Sequence, residues 1–189
     1  PAFKERGKER PPITFKKGLN VVLGKEDGAM SIGKSSTLLA IDFVFGGSTY
    51  IKSDGVKKEG HHTIFFTFEF NDVPYYFARN TGEADTVFIC DKNYEFTGNS
   101  YTKTEFVEWL KQQYEIDFVG LSFRTVLSSF FRVYGKKNTD ELNPLHGVPG
   151  QSMEKSITSI LTLFNKYQAI EEFKDSVTEH KKKLDAFKD

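Results

Sequence analysis

A glycine-rich stretch near the start of the chain carries the residues best suited to chemistry. Gly28, Gly33, Lys34 and Ser35 fill every fixed position of the phosphate-binding pattern G-x-x-x-x-G-K-[ST]. In this pattern backbone N–H groups cradle the phosphates, the lysine reaches the β- and γ-phosphates, and the hydroxyl binds Mg²⁺. Ser35 is therefore the predicted Mg²⁺ ligand. The predicted nucleotide-binding residues are Gly28, Ala29, Met30, Ser31, Ile32, Gly33, Lys34, Ser35 and Ser36.

The pattern needs a strand before it and a helix after it, and the flanking sequence predicts both. Residues 18–23 have the apolar run of a buried strand, and residues 36–45 have the composition of a helix closed by Gly46 and Gly47. A loop at a helix N-terminus offers unpaired N–H groups and the positive end of the helix dipole to an anion. This context favours a polyphosphate site over a chance glycine turn.

Residues 48–60 are predicted to be a polar loop. After this loop, apolar residues recur at every second position. Apolar side chains then alternate along one face, and turn residues separate three such runs. The alternating residues of the first run are Ile64, Phe66, Phe68 and Phe70. We predict an antiparallel meander with strands at 62–70, 73–79 and 86–90. A helix is predicted next, over residues 101–114, with Thr102 and Glu105 as its capping box.

The segment 151–189 has a different character from the predicted head lobe over residues 1–150. Apolar residues recur every three or four positions, with a slip near Ile170, in an otherwise charged helix. The stripe comprises Met153, Ile157, Ile160, Phe164, Tyr167, Phe173, Val177, His180, Leu184 and Phe187. This spacing is typical of a coiled-coil seam that the chain leaves incomplete, although an amphipathic helix packed on the domain would also produce it.

Composition limits the classes of function. Lys plus Arg and Asp plus Glu number 26 each, so a generally basic nucleic-acid binder is disfavoured, although a local basic patch is not. The basic residues Lys4, Arg6, Lys8 and Arg10 would face DNA or nucleotide, or only aid solubility. The single Cys90 cannot form a disulfide within the chain, and no apolar run is long enough to span a membrane. We expect a cytoplasmic setting.

Residues 13–24 and 33–43 together resemble the N-terminal ATPase half of SMC/RecN/SbcC-type proteins, in particular a bacterial branch with a lengthened phosphate loop and the phrase IDFxxGG. The resemblance implies an α/β fold of the P-loop NTPase class. It would be an ABC-type head lobe with a partly parallel core and an antiparallel β-meander, followed by the start of a coiled coil. Met30 and Ser31 replace the usual Asn-Gly of that family's loop, and residues 24–27 lengthen it.

The resemblance also implies ligands and partners. ATP and Mg²⁺ would bind at the loop, and the missing C-terminal half of the head would supply the Walker B carboxylates and the signature motif. Heads of this family dimerise around ATP and act in DNA maintenance or anti-phage defence, with DNA as a possible partner. The chain contains no Leu-Ser-Gly-Gly signature. We therefore expect weak nucleotide binding and negligible hydrolysis by this chain alone.

Three alternatives remain open at the level of sequence. Residues 87–91 match the pattern of a Walker B strand, with Asp91 as its carboxylate. If Asp91 binds Mg²⁺ in this way, the chain is a self-contained small P-loop kinase or GTPase. Arg79 ends the second meander strand and would either contact phosphate or form a solvated strand end. The chain would otherwise be an interaction module that recruits a partner through its coiled coil while its loop stays empty.

Overall fold

The computed structural model describes residues 3–5, 8–10, 12–21, 32–116, 122–128, 130, 145–146, 152–164 and 166–187. The chain divides into two units, residues 1–115 and 116–189. The expected boundary at residue 150 lies outside the described residues and stays a prediction. In chain order the first unit contains β1 (Phe3–Glu5), β2 (Lys8–Arg10), α1 (Ile32–Val44), α2 (Asp54–Glu59), β3 (Thr63–Phe70), β4 (Val73–Asn80), β5 (Thr86–Cys90), β6 (Phe96–Thr102) and α3 (Lys103–Gln113).

The centre of the first unit is a four-stranded antiparallel sheet in the order β3–β4–β5–β6. The predicted three-stranded meander is confirmed, and β6 adds a fourth strand. The β3–β4 turn consists of Asn71 and Asp72, both at positive φ, as the two-residue turn of a tight hairpin requires. Because the turn leaves Phe70 opposite Val73, the register keeps Phe66 across from Phe77.

One face of this sheet is closed by α3. Thr102 caps the helix: its hydroxyl accepts the Glu105 N–H, and the Glu105 carboxylate accepts the Thr102 N–H, as predicted. The pKa of Glu105 is lowered first by the backbone N–H of Thr102 and then by the Thr102 hydroxyl, which donates to the same carboxylate. Phe106 and Leu110 are fully buried, and the Phe106 ring lies 5.2 Å from that of Phe77. The predicted inward stripe of β3 packs here, so burial of aromatic surface holds the sheet and α3 together.

Residues 48–60, predicted to be a polar loop, contain regular structure. A 3₁₀ turn spans Thr49–Lys52 and α2 spans Asp54–Glu59. The Ser53 hydroxyl accepts the Val56 N–H at the start of α2, and the side chains of Tyr50 and Val56 are buried. Burial of the Tyr50 and Val56 side chains and the N-cap at Ser53 explain why this polar stretch forms regular structure.

The structure describes residues 18–21 of the buried strand predicted before the motif, and these residues do not form a strand. Residues 12–21 pair with no strand among the described residues, and Leu19 is 91% exposed. Within this segment the Asn20 side chain closes a turn, because its Oδ1 accepts the Lys16 N–H and its Nδ2 donates to the Lys16 carbonyl. An apolar segment without a neighbouring strand has nothing to pair its backbone groups with, so it stays irregular.

All strand pairs among the described residues are antiparallel. The described elements thus form a mixture of helices and antiparallel sheet. The partly parallel core implied by the resemblance stays a prediction, since residues 22–31 lie outside the described part of the chain.

The second unit contains helices. These are α4 (Phe123–Ser128), α5 (Met153–Leu163) and α6 (Gln168–Ala186). The apolar stripe predicted along one continuous helix therefore spans two, with the break close to the predicted slip. The Lys166 N–H bonds the Leu161 carbonyl, a closure of the kind that ends a helix. Ser156 and Thr162 face inward on α5, whereas Met153 is exposed.

Candidate functional site

The phosphate-binding pattern meets the described structure at the start of α1. This helix begins at Ile32, so Gly33, Lys34 and Ser35 occupy its first turn, and Ser36 follows with a half-buried side chain. The first N–H groups of a helix have no intrahelical partner, and the helix dipole adds positive charge at this end. The backbone N–H groups at the start of α1 are thus suited to hydrogen-bond an anion. The remaining predicted positions, Gly28, Ala29, Met30 and Ser31, lie outside the described residues.

The other end of α1 is closed by a pair of glycines. The Gly46 N–H bonds the Phe43 carbonyl and the Gly47 N–H bonds the Asp42 carbonyl, which is the Schellman arrangement. Gly46 has a φ of +87°, a conformation that side chains with a Cβ rarely adopt. A Cβ on Gly47 would lie only 2.7 Å from the backbone carbonyl oxygen of Asp42 and would also clash with the Asp42 side chain. Backbone geometry therefore accounts for both glycines of the IDFxxGG phrase.

Arg79 of β4 binds this closed end of α1. Its side chain is 0% exposed, and its Nη1 donates to the carbonyl oxygens of Phe43 and Gly47. Its Nε and Nη2 both donate to the Ala84 carbonyl, and its guanidinium carbon lies 3.9 Å from the centre of the Phe43 ring. A cation at a helix C-terminus also meets the negative end of the dipole. We call this arrangement the Arg79 clamp.

The clamp gives Arg79 a structural role that was not predicted, and the alternative of a solvated strand end is wrong, because the side chain is fully buried. A phosphate contact through Arg79 stays a prediction, and it would require the guanidinium to leave the carbonyls that it binds in this structure. A signal for the clamp was present in the alternation of β4, because Arg79 stands two residues after the inward-facing Phe77. The alternation puts both residues on the buried face of the sheet.

The clamp anchors the C-terminal end of α1 to the sheet. Phe43 is itself fully buried, and Phe45, just beyond α1, packs its ring 5.1 Å from that of Phe68 on β3. Lys34 precedes Phe43 by about two and a half helical turns, or roughly 14 Å along the axis. The sheet therefore fixes the C-terminal end of the helix whose first turn carries the lysine.

Asp91, the alternative Walker B carboxylate, lies in the turn after β5. Its Oδ1 accepts the backbone N–H groups of Asn93 and Glu95, at 2.8 and 2.9 Å. The strand before it pairs antiparallel with both neighbours. A Walker B carboxylate follows a parallel strand beside the phosphate loop, whereas this one organises a hairpin turn.

The two histidines before β3 both have hydrogen-bond partners, and that of His61 is the Thr81 hydroxyl, 3.3 Å from its Nδ1. His62 donates from Nδ1 to the Gly60 carbonyl, so its Nε2 accepts from the Tyr50 hydroxyl at 2.9 Å. Burial raises the pKa of the Tyr50 hydroxyl, which therefore keeps its proton as the donor. In the part of the chain that is described, no group of three His, Cys, Asp or Glu side chains is arranged to hold a metal ion.

No family model matches the chain, and neither a curated protein nor a solved structure is significantly similar to it. Among the described helices, none combines the length and the apolar character needed to cross a membrane.

Proposed function

We propose that the chain binds ATP·Mg²⁺ through residues 28–36 and acts as the N-terminal lobe of an SMC/RecN-like ATPase head in the cytoplasm. The observation that carries the proposal is the start of α1 at Ile32, which puts the Gly33-Lys34-Ser35 core of the motif in a helical first turn. Strand, glycine loop and helix N-terminus are the setting in which this motif binds polyphosphates. The cellular role proposed with it is DNA maintenance or anti-phage defence.

The residues of the motif fit a Mg²⁺ ion that is bound to the nucleotide better than a metal ion that is held by protein side chains alone. Mg²⁺ keeps several waters and is commonly held by one or two protein oxygens together with substrate phosphates. The hydroxyl of Ser35 is the protein oxygen that the motif supplies for this purpose. Lys34 would neutralise charge on the β- and γ-phosphates, and the loop N–H groups would orient them.

The exposed segment before the motif supports the view that this lobe needs a second one. Residues 12–21 precede the phosphate loop, and their apolar side chains are turned to solvent. The exposed apolar residues are Ile13, Phe15, Leu19 and Val21. We propose that strands of the C-terminal half of the head pair with this segment and bury it. That half would also carry the carboxylates and the signature motif needed for turnover, and two such heads would close around ATP.

Turnover by the chain alone is expected to be negligible. Phosphoryl transfer needs a group that orients the attacking water and donors that stabilise charge on the γ-phosphate, and the motif supplies only part of this set. Phosphate release from ATP·Mg²⁺, measured with malachite green, should equal that of a Lys34→Ala control. Robust release that depends on Lys34 would contradict the proposal that the lobe is incomplete.

A substitution at Asp91 distinguishes the proposed ATPase head lobe, whose other half is a separate segment, from the self-contained kinase or GTPase. Asp91→Asn keeps an oxygen that can accept the Asn93 and Glu95 N–H groups, but it removes the charge that a Mg²⁺ ligand needs. We expect the Mg²⁺-dependent affinity for ATP to stay within about twofold of wild type, because no ligand contact is lost. The affinities are compared by titration with and without Mg²⁺. A loss of affinity confined to the Mg²⁺ series would favour the self-contained enzyme.

A further inference from the structure

Strand β3 lies at one end of the four-stranded sheet, and half of its backbone groups point away from β4. The Thr81 N–H donates to the His62 carbonyl, which extends the β3–β4 ladder beyond its first paired residues. Because successive residues of a strand direct their hydrogen-bonding groups to opposite sides, His62 and the even-numbered residues of β3 face β4. The odd-numbered residues face away. Their outward N–H and C=O groups form what we call the β3 edge, which belongs to Thr63, Phe65, Thr67 and Glu69.

Nothing in the described part of the chain pairs with the β3 edge. Among the described strands only β4 lies beside β3, and the outward backbone groups of β3 form no hydrogen bond with any described residue. The side chains of Thr67 and Glu69 are exposed, so another chain can approach this edge. A row of unpaired N–H and C=O groups is a template for a further strand. The chemistry of the edge therefore selects extended backbone as its ligand.

Strand β3 lacks the features that protect most edge strands. Its eight residues include no Lys, Arg or Pro, and its pairing with β4 continues without a bulge from Thr63 to Phe70. The strand at the other end of the sheet, β6, differs. Its register with β5 shifts between Phe88 and Cys90, and its Gly98 has a φ of +87°. Such irregularities interrupt the even spacing of edge groups, so β3 is the better edge for a full-length strand.

We infer that two copies of the chain pair through their β3 edges, antiparallel and centred on Phe66, and thereby join their sheets. This register sets Thr63 opposite Glu69 of the partner subunit. It also sets Phe65 opposite Thr67 of the partner subunit. Every edge residue of both copies then forms its two hydrogen bonds. Glu69 is the single charged residue of β3, and this register keeps the two carboxylates at opposite ends of the pair. The inference stands apart from the nucleotide site.

Strand length favours a second copy over the chain's own apolar segment before the motif. The Asn20 side chain already bonds the N–H and the carbonyl of Lys16, so extended pairing from this segment is confined to residues 12–15. Pro12 has no N–H, and only every second residue of a strand faces a given edge. This short segment would leave part of the β3 edge unpaired. A second β3 has the same length as the edge and pairs all of its groups.

The dimer is expected to be weak. The inner side chains of β3, such as Phe66 and Phe68, are already buried within one copy, so pairing adds backbone hydrogen bonds and little apolar burial. We expect a dissociation constant of roughly 1–100 μM, as for other small interfaces. Sedimentation equilibrium should find the same dimer with and without ATP·Mg²⁺, and in Lys34→Ala. A chain that stays monomeric about tenfold above this range, or a dimer that requires ATP, would overturn the inference.

A proline at position 67 tests the edge directly. Thr67→Pro removes an N–H that points away from β4, so it costs no bond of the β3–β4 ladder. We expect the dissociation constant of the dimer to rise at least about tenfold. Thr67→Val is the matched control, because it also loses the hydroxyl bond to Tyr94 but keeps the N–H, and it should dimerise like wild type. Circular dichroism checks that both variants fold. Equal dimerisation of the two variants would contradict pairing through this edge.

Cross-linking tests the register and leaves the backbone unchanged. The double variant Thr63→Cys/Glu69→Cys carries thiols about 20 Å apart along one strand, yet adjacent to each other across the proposed pair. A short bismaleimide should therefore convert it to covalent dimers. Either single variant should give few, since its thiol then faces no second thiol. The buried Cys90 is present in all three variants and sets the common background. Equal yields from the single and double variants would rule out the proposed register.

Two further measurements cover the other occupants. Hydrogen exchange should be fast at the edge amides of β3 in the dilute monomer and slow in the dimer. Slow exchange at every concentration would show that the chain's own segment covers the edge, and it would overturn the inference. Phe173→Ser removes an exposed apolar side chain of α6 and should leave the dimer intact. Loss of the dimer in this variant would place the contact on α6 and also overturn the inference.

Discussion

Replacing Arg79 with methionine is expected to lower the free energy of unfolding of the first unit by about 3–5 kcal/mol. The variant keeps an aliphatic side chain but leaves the carbonyls of Gly47 and Ala84 without the donors that the guanidinium now supplies, and it leaves the Phe43 carbonyl with the Gly46 N–H as its donor. Each buried acceptor that loses its partner costs on the order of 1–3 kcal/mol. The contact of the cation with the Phe43 ring is lost as well.

Urea unfolding followed by tryptophan fluorescence measures this effect, because the single Trp109 belongs to α3 in the first unit. Arg79→Lys should recover only part of the loss, since an ammonium cannot reproduce the planar fork that reaches both sides of the clamp. Lys57→Met, on the exposed face of α2, makes the same kind of change and should stay within about 0.5 kcal/mol of wild type. An Arg79→Met variant as stable as this control would contradict the clamp.

Replacing Lys34 with alanine is expected to lower the affinity for ATP·Mg²⁺ about 10- to 100-fold. This range corresponds to one lost hydrogen bond to a charged group, roughly 1.5–3 kcal/mol. The ligand should therefore raise the melting temperature of wild type much more than that of Lys34→Ala at equal ATP concentration. Lys57→Ala is the matched control and should be stabilised like wild type. An equal thermal shift in Lys34→Ala and wild type would show that ATP binds elsewhere.

The sheet was the most predictable part of the fold. Its inner positions alternate as Ile64, Phe66 and Phe68, and burial on one face only produces such alternation. The fourth strand was missed because β6 is polar, almost wholly exposed, and interrupted by Gly98 at a φ of +87°. Strand β6 forms through pairing with β5, a contact that local sequence does not encode.

At the candidate site the helix that follows the motif was predictable, whereas the contacts that support this helix were not. The motif and the helix after it follow from local spacing, since a glycine loop and its helix are contiguous in the chain. The Arg79 clamp joins residues 36 positions apart, from Phe43 to Arg79. The alternation of β4 places Arg79 on the inner face of the sheet, but a single sequence does not show which groups it meets there. The glycine pair after α1 was identified as a helix end, but the closeness of Gly47 to Asp42 became visible only in three dimensions.

The unpaired segment before the motif shows a further limit of local reasoning. Its apolar residues match a strand, and strand propensity measures how well side chains fit a partly buried surface. Without a neighbouring strand among the described residues, residues 12–21 have no such surface. The same reasoning applies to α6, where a helix was predicted and is present, but the exposure of Phe173 depends on what lies beside it.

The central claim is that residues 28–36 bind ATP·Mg²⁺, and isothermal titration calorimetry tests it most directly. Wild type, Lys34→Ala and Lys57→Ala are each titrated with ATP in the presence of Mg²⁺. We predict a single-site isotherm for wild type and Lys57→Ala, and heats close to those of dilution for Lys34→Ala. Heats of dilution alone for wild type and Lys34→Ala alike, or the same binding isotherm for both, would contradict the claim.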